Sequence, residues 1–147
     1  MRFNGRWNWC AMLCLALALG CPPPSPTPDA AASGWHLVLD ELPGTLLSAW
    51  EADDGVLYAV GGNSSGSLVL RHDANGWWEM ESGTSNVLWW VYGFSSADVY
   101  AVGASGVVTH FDGTRWRVES EGAEFTLFGV LGATPEALVA VGGVVTT

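Results

Sequence analysis

The chain has 147 residues, 5 of them basic and 15 acidic, with a formal net charge of −10. Such a surface repels phosphate backbones and anionic lipid headgroups, which excludes nucleic-acid binding. Hydrophobic residues make up 49% of the chain and 19 residues are glycine, which excludes an acidic disordered tail and suits a core with many tight turns.

Residues 1–9 carry Arg2 and Arg6 and no acid, and residues 10–19 (CAMLCLALAL) form an unbroken apolar run. Ten helical residues span about 15 Å, half of a bilayer core, so the run reads as a signal-peptide h-region and not as a membrane span. Leu17-Ala18-Leu19-Gly20-Cys21 resembles the lipobox of bacterial lipoproteins, in which a small residue precedes a cysteine that is diacylated and becomes the new N-terminus. Ala18 stands where the strictest form of that pattern has leucine. The resemblance implies a lipoprotein signal peptide over 1–20, lipidation at Cys21 and a bacterial cell-envelope location, periplasmic or cell-surface, with the lipid as the membrane contact. The alternative is an ordinary secretory signal with an incidental cysteine at its end.

Residues 21–33 continue as a proline-rich tether, Pro22-Pro23-Pro24-Ser25-Pro26-Thr27-Pro28, a stiff spacer suited to hold a domain off a surface. Cys10 and Cys14 would leave with the signal and Cys21 would carry the lipid. The folded part then has no thiol, which removes disulfides and cysteine-based zinc sites from consideration.

Residues 34–147 carry an internal repeat. Ala-Val-Gly occurs at 59–61, 101–103 and 140–142, and each copy closes a segment that begins with a leucine, at Leu46, Leu88 and Leu127. Trp35, Trp77 and Trp116 each precede that leucine by 11 residues, and Asp73 and Asp112 precede the next one by 15. The repeat is 42 residues from Leu46 to Leu88 and 39 from Leu88 to Leu127, giving units of about 46–86, 87–125 and 126–147. The difference falls between the Ala-Val-Gly and the aspartate, so one b–c hairpin is three residues longer, and an indel confined to its turn is expected.

Each unit reads as four short β-strands, a to d. In the second, strand a is about 87–93, b 98–103, c 107–111 and d 115–120, with breaks at Ser95-Ser96-Ala97, Ser105-Gly106 and Asp112-Gly113-Thr114. Asp-Gly between β-branched runs is a hairpin signal, because glycine takes positive φ without steric cost. No stretch holds 3.6-residue periodicity for more than two turns, which makes the chain all-β. Strands a and b are apolar on both faces, a pattern that suits sheets packed between two other sheets.

The run Asp98-Val99-Tyr100-Ala101-Val102-Gly103, followed by His110-Phe111-Asp112-Gly113-Thr114-Arg115-Trp116, resembles the repeat of bacterial β-propeller proteins, many of them predicted lipoproteins. It is distantly similar to Asp-box repeats, although Trp116 follows Asp112 at four residues where those repeats place the aromatic at five. The resemblance implies four-stranded antiparallel blades over 34–147. Gly34-Trp35-His36-Leu37-Val38-Leu39 matches an outermost strand d, and the other end holds strands a and b with at most a stub of c, Val144-Val145-Thr146-Thr147. The expected architecture is an incomplete propeller: about two full blades, an N-terminal d strand and C-terminal a–b strands, where a ring takes four or more blades. Either the chain is the N-terminal piece of a longer protein, or copies join as a homo-oligomer that completes a ring.

Gly62-Asn63-Ser64-Ser65-Gly66 matches the G-x-S-x-G of serine hydrolases, which works only where a strained strand-to-helix turn lifts the serine. Its position in a b–c hairpin favours a flexible turn. His36, His72 and His110 are too scattered for a ligand set, and repeat alignment puts His72 and His110 on opposite strand faces. Asp53-Asp54-Gly55 lacks the further oxygens of a calcium loop and reads as a solvated a–b turn.

Nine tryptophans are present, and Trp35, Trp77 and Trp116 recur with the repeat, so they are expected to pack between blades. Trp89 and Trp90 are adjacent on one strand, which predicts opposite faces, with one of them lining a channel or an inter-blade cleft as a ligand-contact aromatic. Aromatic faces with carboxylates nearby commonly furnish sugar-binding clefts, and core packing is the competing reading. No catalytic residue, cofactor-binding residue or metal ligand is assigned. The expected function is a non-catalytic, lipid-anchored binding or scaffolding module of the cell envelope, with a protein or carbohydrate ligand. The alternative is a piece of an envelope propeller enzyme such as a glycosidase.

Overall fold

In the computed structural model of the protein the described residues are Gly34 and 37–144. Residues 1–33, where the signal peptide, Cys21 and the tether are expected, lie outside them, as do Trp35, His36 and 145–147. The chain divides into two units at Leu42 and Pro43. On the N-terminal side Leu37–Leu39 belong to no strand, and Leu37 and Val38 are largely exposed. The strand d expected over 34–39 is therefore not formed by its described residues: an extended segment needs a partner's N–H and C=O groups, and these residues pair with no described strand.

From Pro43 onward the structure is all-β. The first sheet is β1 (Thr45–Glu51), β2 (Leu57–Asn63), β3 (Gly66–Asp73) and β4 (Gly76–Glu79); the second is β5 (Leu88–Ser95), β6 (Asp98–Gly103), β7 (Val108–Phe111) and β8 (Trp116–Ser120). A third pair, β9 (Thr126–Gly132) and β10 (Leu138–Gly143), repeats the first half of that pattern. Every strand is antiparallel to its neighbour and bonded to the strand next to it in sequence. The strands expected in the second unit are all present, with ends differing by two residues at most.

Side-chain oxygens close the outer turns. Asp73 Oδ1 accepts the Asn75 N–H at 2.8 Å, and Asp112 Oδ1 accepts the N–H groups of Thr114 and Arg115, both at 3.0 Å. This Asx geometry is why the two aspartates recur, and Gly76 and Gly113 follow at positive φ of 105° and 86°. The length difference between the repeats does not sit in a turn. In the first sheet a two-residue turn, Ser64-Ser65, joins β2 and β3 over seven paired positions, whereas β6 and β7 pair at four and are joined through the short 3₁₀ turn Ala104–Gly106. The three extra residues lengthen the ladder instead, where each added pair makes hydrogen bonds that a longer loop would leave to water.

One irregularity recurs in all three sheets. The register of the first strand against the second shifts between Leu46 and Ser48, between Leu88 and Trp90, and between Leu127 and Gly129. Each is a β-bulge, with Leu47, Trp89 or Phe128 as the extra residue. Opposite each bulge stands the glycine of Ala-Val-Gly. A Cβ on Gly61, Gly103 or Gly142 would fall well inside 3.0 Å of the backbone oxygen of Thr45, Val87 or Thr126. The repeated tripeptide therefore marks the place where two backbones approach too closely for any side chain.

The sheets stack face to face. Tyr58, Val60 and Val69 of the first pack with Leu88, Val91, Val99, Ala101, Phe111 and Trp116 of the second. Burying side chains of this size contributes about 1.5–3 kcal/mol each. Tyr58, fully buried, meets Phe111 and Trp116 at centroid distances of 5.8 and 6.2 Å, and its hydroxyl donates to the Ser96 carbonyl at 2.6 Å. Trp116 thus packs between sheets, and Trp77, at the equivalent position of the first sheet, lies against His72. The polar connection from β4 to β5 ties the two sheets: Ser67 Oγ meets Ser82 Oγ at 2.6 Å, and the buried Thr109 hydroxyl donates to the Ser82 carbonyl at 3.0 Å. In the next junction the Tyr92 hydroxyl donates to the Gly132 carbonyl at 2.8 Å.

Candidate functional site

The first strands of the three sheets are neighbours, β1 beside β5 and β5 beside β9. Their bulges bring Leu47, Trp89 and Phe128 to equivalent places, 39%, 38% and 39% exposed, although each is a large apolar side chain. Trp89 and Phe128 meet edge to face with centroids 5.4 Å apart. Trp90, 45% exposed, stands next to Trp89. The bulge inserts Trp89 as an unpaired residue and interrupts the alternation on which the opposite-face expectation rests, and both indoles reach solvent between the buried Leu88 and Val91.

β1, β5 and β9 together contain a single charged residue, Glu51 at the end of β1. The row is therefore an uncharged, aromatic-rich strip on an acidic protein. Leu47 and Phe128 escape the sequence reading, which singles out tryptophan by type. The signal lay in the gap-free alignment, where Leu47, Trp89 and Phe128 each follow the leading leucine.

The remaining motifs fall into structural roles. Gly62–Gly66 runs from strand into strand, with Asn63 Oδ1 accepting the Ser65 N–H at 2.6 Å, so Ser64 sits on a hairpin turn and not at a strand-to-helix elbow. A cleft of about 270 Å³ beside this turn is lined by Pro43, Asn63, Ser65, Ser67 and Glu79 among others, which furnish no nucleophile-base pair. His72 and His110 lie on opposite faces: His72 pairs with Leu57 and Trp77, His110 with Tyr100 and Arg117.

His110 stacks on Tyr100 at 4.1 Å, with Nε2 2.7 Å from Asp98 Oδ1 and Nδ1 3.4 Å from Glu119 Oε1. Burial, and then the carboxylates of Asp98, Glu119 and Glu136, push the Tyr100 phenol above its ordinary value. Burial does the same to Tyr58. Among the described residues no group of three or more His, Cys, Asp or Glu is placed to hold a metal ion.

Asp54 links two turns. Its Oδ2 accepts the Ser96 hydroxyl at 2.5 Å and its Oδ1 the Val56 N–H at 3.3 Å, and these bonds hold its carboxyl below the usual range. Asp112 is lowered by the Arg115 and Thr114 N–H groups, with Arg117 2.8 Å away. Both carboxylates are thus held by turn and inter-sheet hydrogen bonds. No protein family, curated protein or solved structure matches this chain.

Proposed function

We propose that the chain is a lipid-anchored, non-catalytic binding module of the bacterial cell envelope, built of propeller-type blades and tethered through Cys21, and that its ligand is an uncharged glycan. The observation that carries the ligand reading is the row of Leu47, Trp89 and Phe128, exposed side by side with Trp90 on strands that hold one charged residue. Large aromatic side chains left half in water on a rigid sheet offer flat apolar surface at little entropic cost, which is what the C–H face of a sugar ring stacks against. The acidic surface disfavours anionic ligands by charge repulsion. The front-to-rear stacking of antiparallel sheets supports the blade reading.

Two measurements test the proposal. Intact mass of the membrane-extracted protein should give an N-terminus at acylated Cys21, and any other N-terminus removes the lipid anchor. Titration against a glycan array, read by tryptophan fluorescence, should give quenching by neutral oligosaccharides that is lost in Trp89→Ala. Turnover of a glycan would replace the reading with that of an enzyme, and the absence of any glycan response would replace it with a protein scaffold.

A further inference from the structure

Three asparagines fall among the described residues, and the hydrogen bonds of their side chains set one of them apart. Asn63 is held at both ends of its amide: Nδ2 donates to the Pro43 carbonyl and Oδ1 accepts the Ser65 N–H. Asn86 Nδ2 donates to Thr84 Oγ1 at 3.4 Å and to Glu121 Oε2 at 3.3 Å, and the β-branched Val87 follows it. Asn75 stands exposed on the turn from β3 to β4, and its amide is held only through Nδ2, which donates to Asp73 Oδ1 at 3.1 Å. Its successor is Gly76, at a φ of 105°, with nothing within 4 Å of the place a Cβ would take.

An asparagine amide carbon lies within reach of the backbone nitrogen of the next residue, which can close a five-membered ring on it. A side chain on that next residue crowds the approach, and glycine has none. Gly76 pairs with Asp73 on the last rung of the β3–β4 ladder, so ring closure calls for that rung to open. Among the described residues β4 is an edge strand, and it is four residues long. The end rung of such a strand opens at far smaller cost than the molecule as a whole.

We propose that Asn75-Gly76 is a site of self-modification, at which Asn75 is converted to aspartate and isoaspartate in the folded protein. The Gly76 nitrogen loses its proton to hydroxide and forms a bond to Asn75 Cγ. The Cγ–Nδ2 bond then breaks, and Nδ2 takes a proton from water and leaves as ammonia. Water next opens the cyclic imide: cleavage between Cγ and the Gly76 nitrogen gives aspartate, and cleavage at the Asn75 backbone carbonyl gives isoaspartate, whose chain runs through Cγ. Nothing is oxidised or reduced, and water is the co-reactant. The aspartate product sets a second carboxylate beside Asp73 Oδ1 in place of the Nδ2 donor, so that like charges meet where a hydrogen bond stood. The isoaspartate product adds a methylene to the backbone of the turn. Both loosen the end of β4, the strand that carries Trp77 and Trp78. The inference stands apart from the glycan reading, since it uses neither Trp89 nor Phe128.

The test is incubation of the full chain in a non-ionic detergent at mildly alkaline pH, followed by peptide mapping by mass spectrometry and labelling with an isoaspartyl methyltransferase. Asn75 should gain the mass of an amide-to-acid exchange, with isoaspartate among the products, at a rate that rises in proportion to hydroxide. It should convert at least about tenfold faster than Asn63 or Asn86, because glycine leaves the approach open. In the chain unfolded by urea Asn63 should accelerate, since its bonds to Pro43 and Ser65 are then gone. An Asn75 that stays an amide in the folded chain while urea releases it overturns the proposal, because the end rung would then be closed to attack. Conversion of Asn63 at a comparable rate in the folded chain overturns it too, as does aspartate formed without isoaspartate, which would mean direct hydrolysis with no ring. Asn75→Gln keeps the amide and moves it one methylene further out. This variant should lose the isoaspartyl label with an unchanged far-UV spectrum, and a label that persists places the reaction elsewhere and sinks the assignment.

Discussion

Replacing Gly103 by alanine tests the link between the Ala-Val-Gly repeat and the bulge. The new methyl would lie 2.9 Å from Leu88 Cα and 3.0 Å from the Val87 carbonyl carbon, and closer still to the Val87 oxygen. Overfilling a packed interior costs about 1–3 kcal/mol. All three atoms here belong to the backbone, so no rotamer change relieves the overlap, and the upper end, about 3 kcal/mol, applies. At a urea slope of about 2 kcal/mol/M this lowers the unfolding midpoint by about 1.5 M. Gly143→Ala is the matched control, because its Cβ meets nothing within 4 Å and its φ needs no glycine. Alanine there should be neutral or stabilising by about 0.5–1 kcal/mol, since glycine in a strand loses more entropy on folding. Both variants are read by tryptophan emission and far-UV circular dichroism across a urea series, with coincident curves as the check on a single transition. A Gly103→Ala midpoint no lower than that of Gly143→Ala refutes the reasoning.

Tyr58→Phe removes the donor to the Ser96 carbonyl and leaves that oxygen unsatisfied beside the core, so urea unfolding should show a loss of about 1–3 kcal/mol. Asp54 and Asp112 are depressed carboxyls, so their contribution is present above the ordinary carboxylate range and is lost as pH falls through their lowered values. Thermal melts from about pH 6 to about pH 2 should fall more steeply in the wild type than in Asp54→Ala, Asp112→Ala, and parallel curves would contradict the assignment. Trp89→Ala and Trp90→Ala should each reduce acrylamide quenching of the remaining emission, and Trp89→Ala should also cost at least about 0.5–1.5 kcal/mol through loss of its edge-to-face pair with Phe128. Trp116→Phe should lower stability and leave quenching as it was.

Most of the sheet layout was legible in the sequence because its signals are local. β-branched runs broken by Asp-Gly and Ser-Gly place β5 to β8 within two residues, and the spacing of three tryptophans carries the register from one unit to the next. Two features were not legible, and both depend on pairing between strands. The bulge at Trp89 leaves no mark in an apolar run such as Leu88-Trp89-Trp90-Val91, since any of the four could be the extra residue, and alternation applied across it no longer fixes the face of each indole. The three residues inserted after Gly61 could lengthen either loop or ladder, and the spacing is the same in both cases. Trp89 and Trp90 were visible as unusual residues, whereas Leu47 and Phe128 gained meaning only once β1, β5 and β9 stood side by side.

The strict meander has a consequence for the order in which the protein can form. Within each sheet every strand after the first pairs with the one just made, so each four-stranded sheet closes on its own stretch of about forty residues and waits for nothing further along the chain. At a synthesis rate of about 5–20 residues per second, a ribosome delivers one such stretch in about 2 to 8 seconds. Hairpins form in microseconds, so each sheet has ample time to assemble before its successor emerges. The nascent chain then exposes one unfinished front at a time, and the next sheet to appear is the surface that covers it.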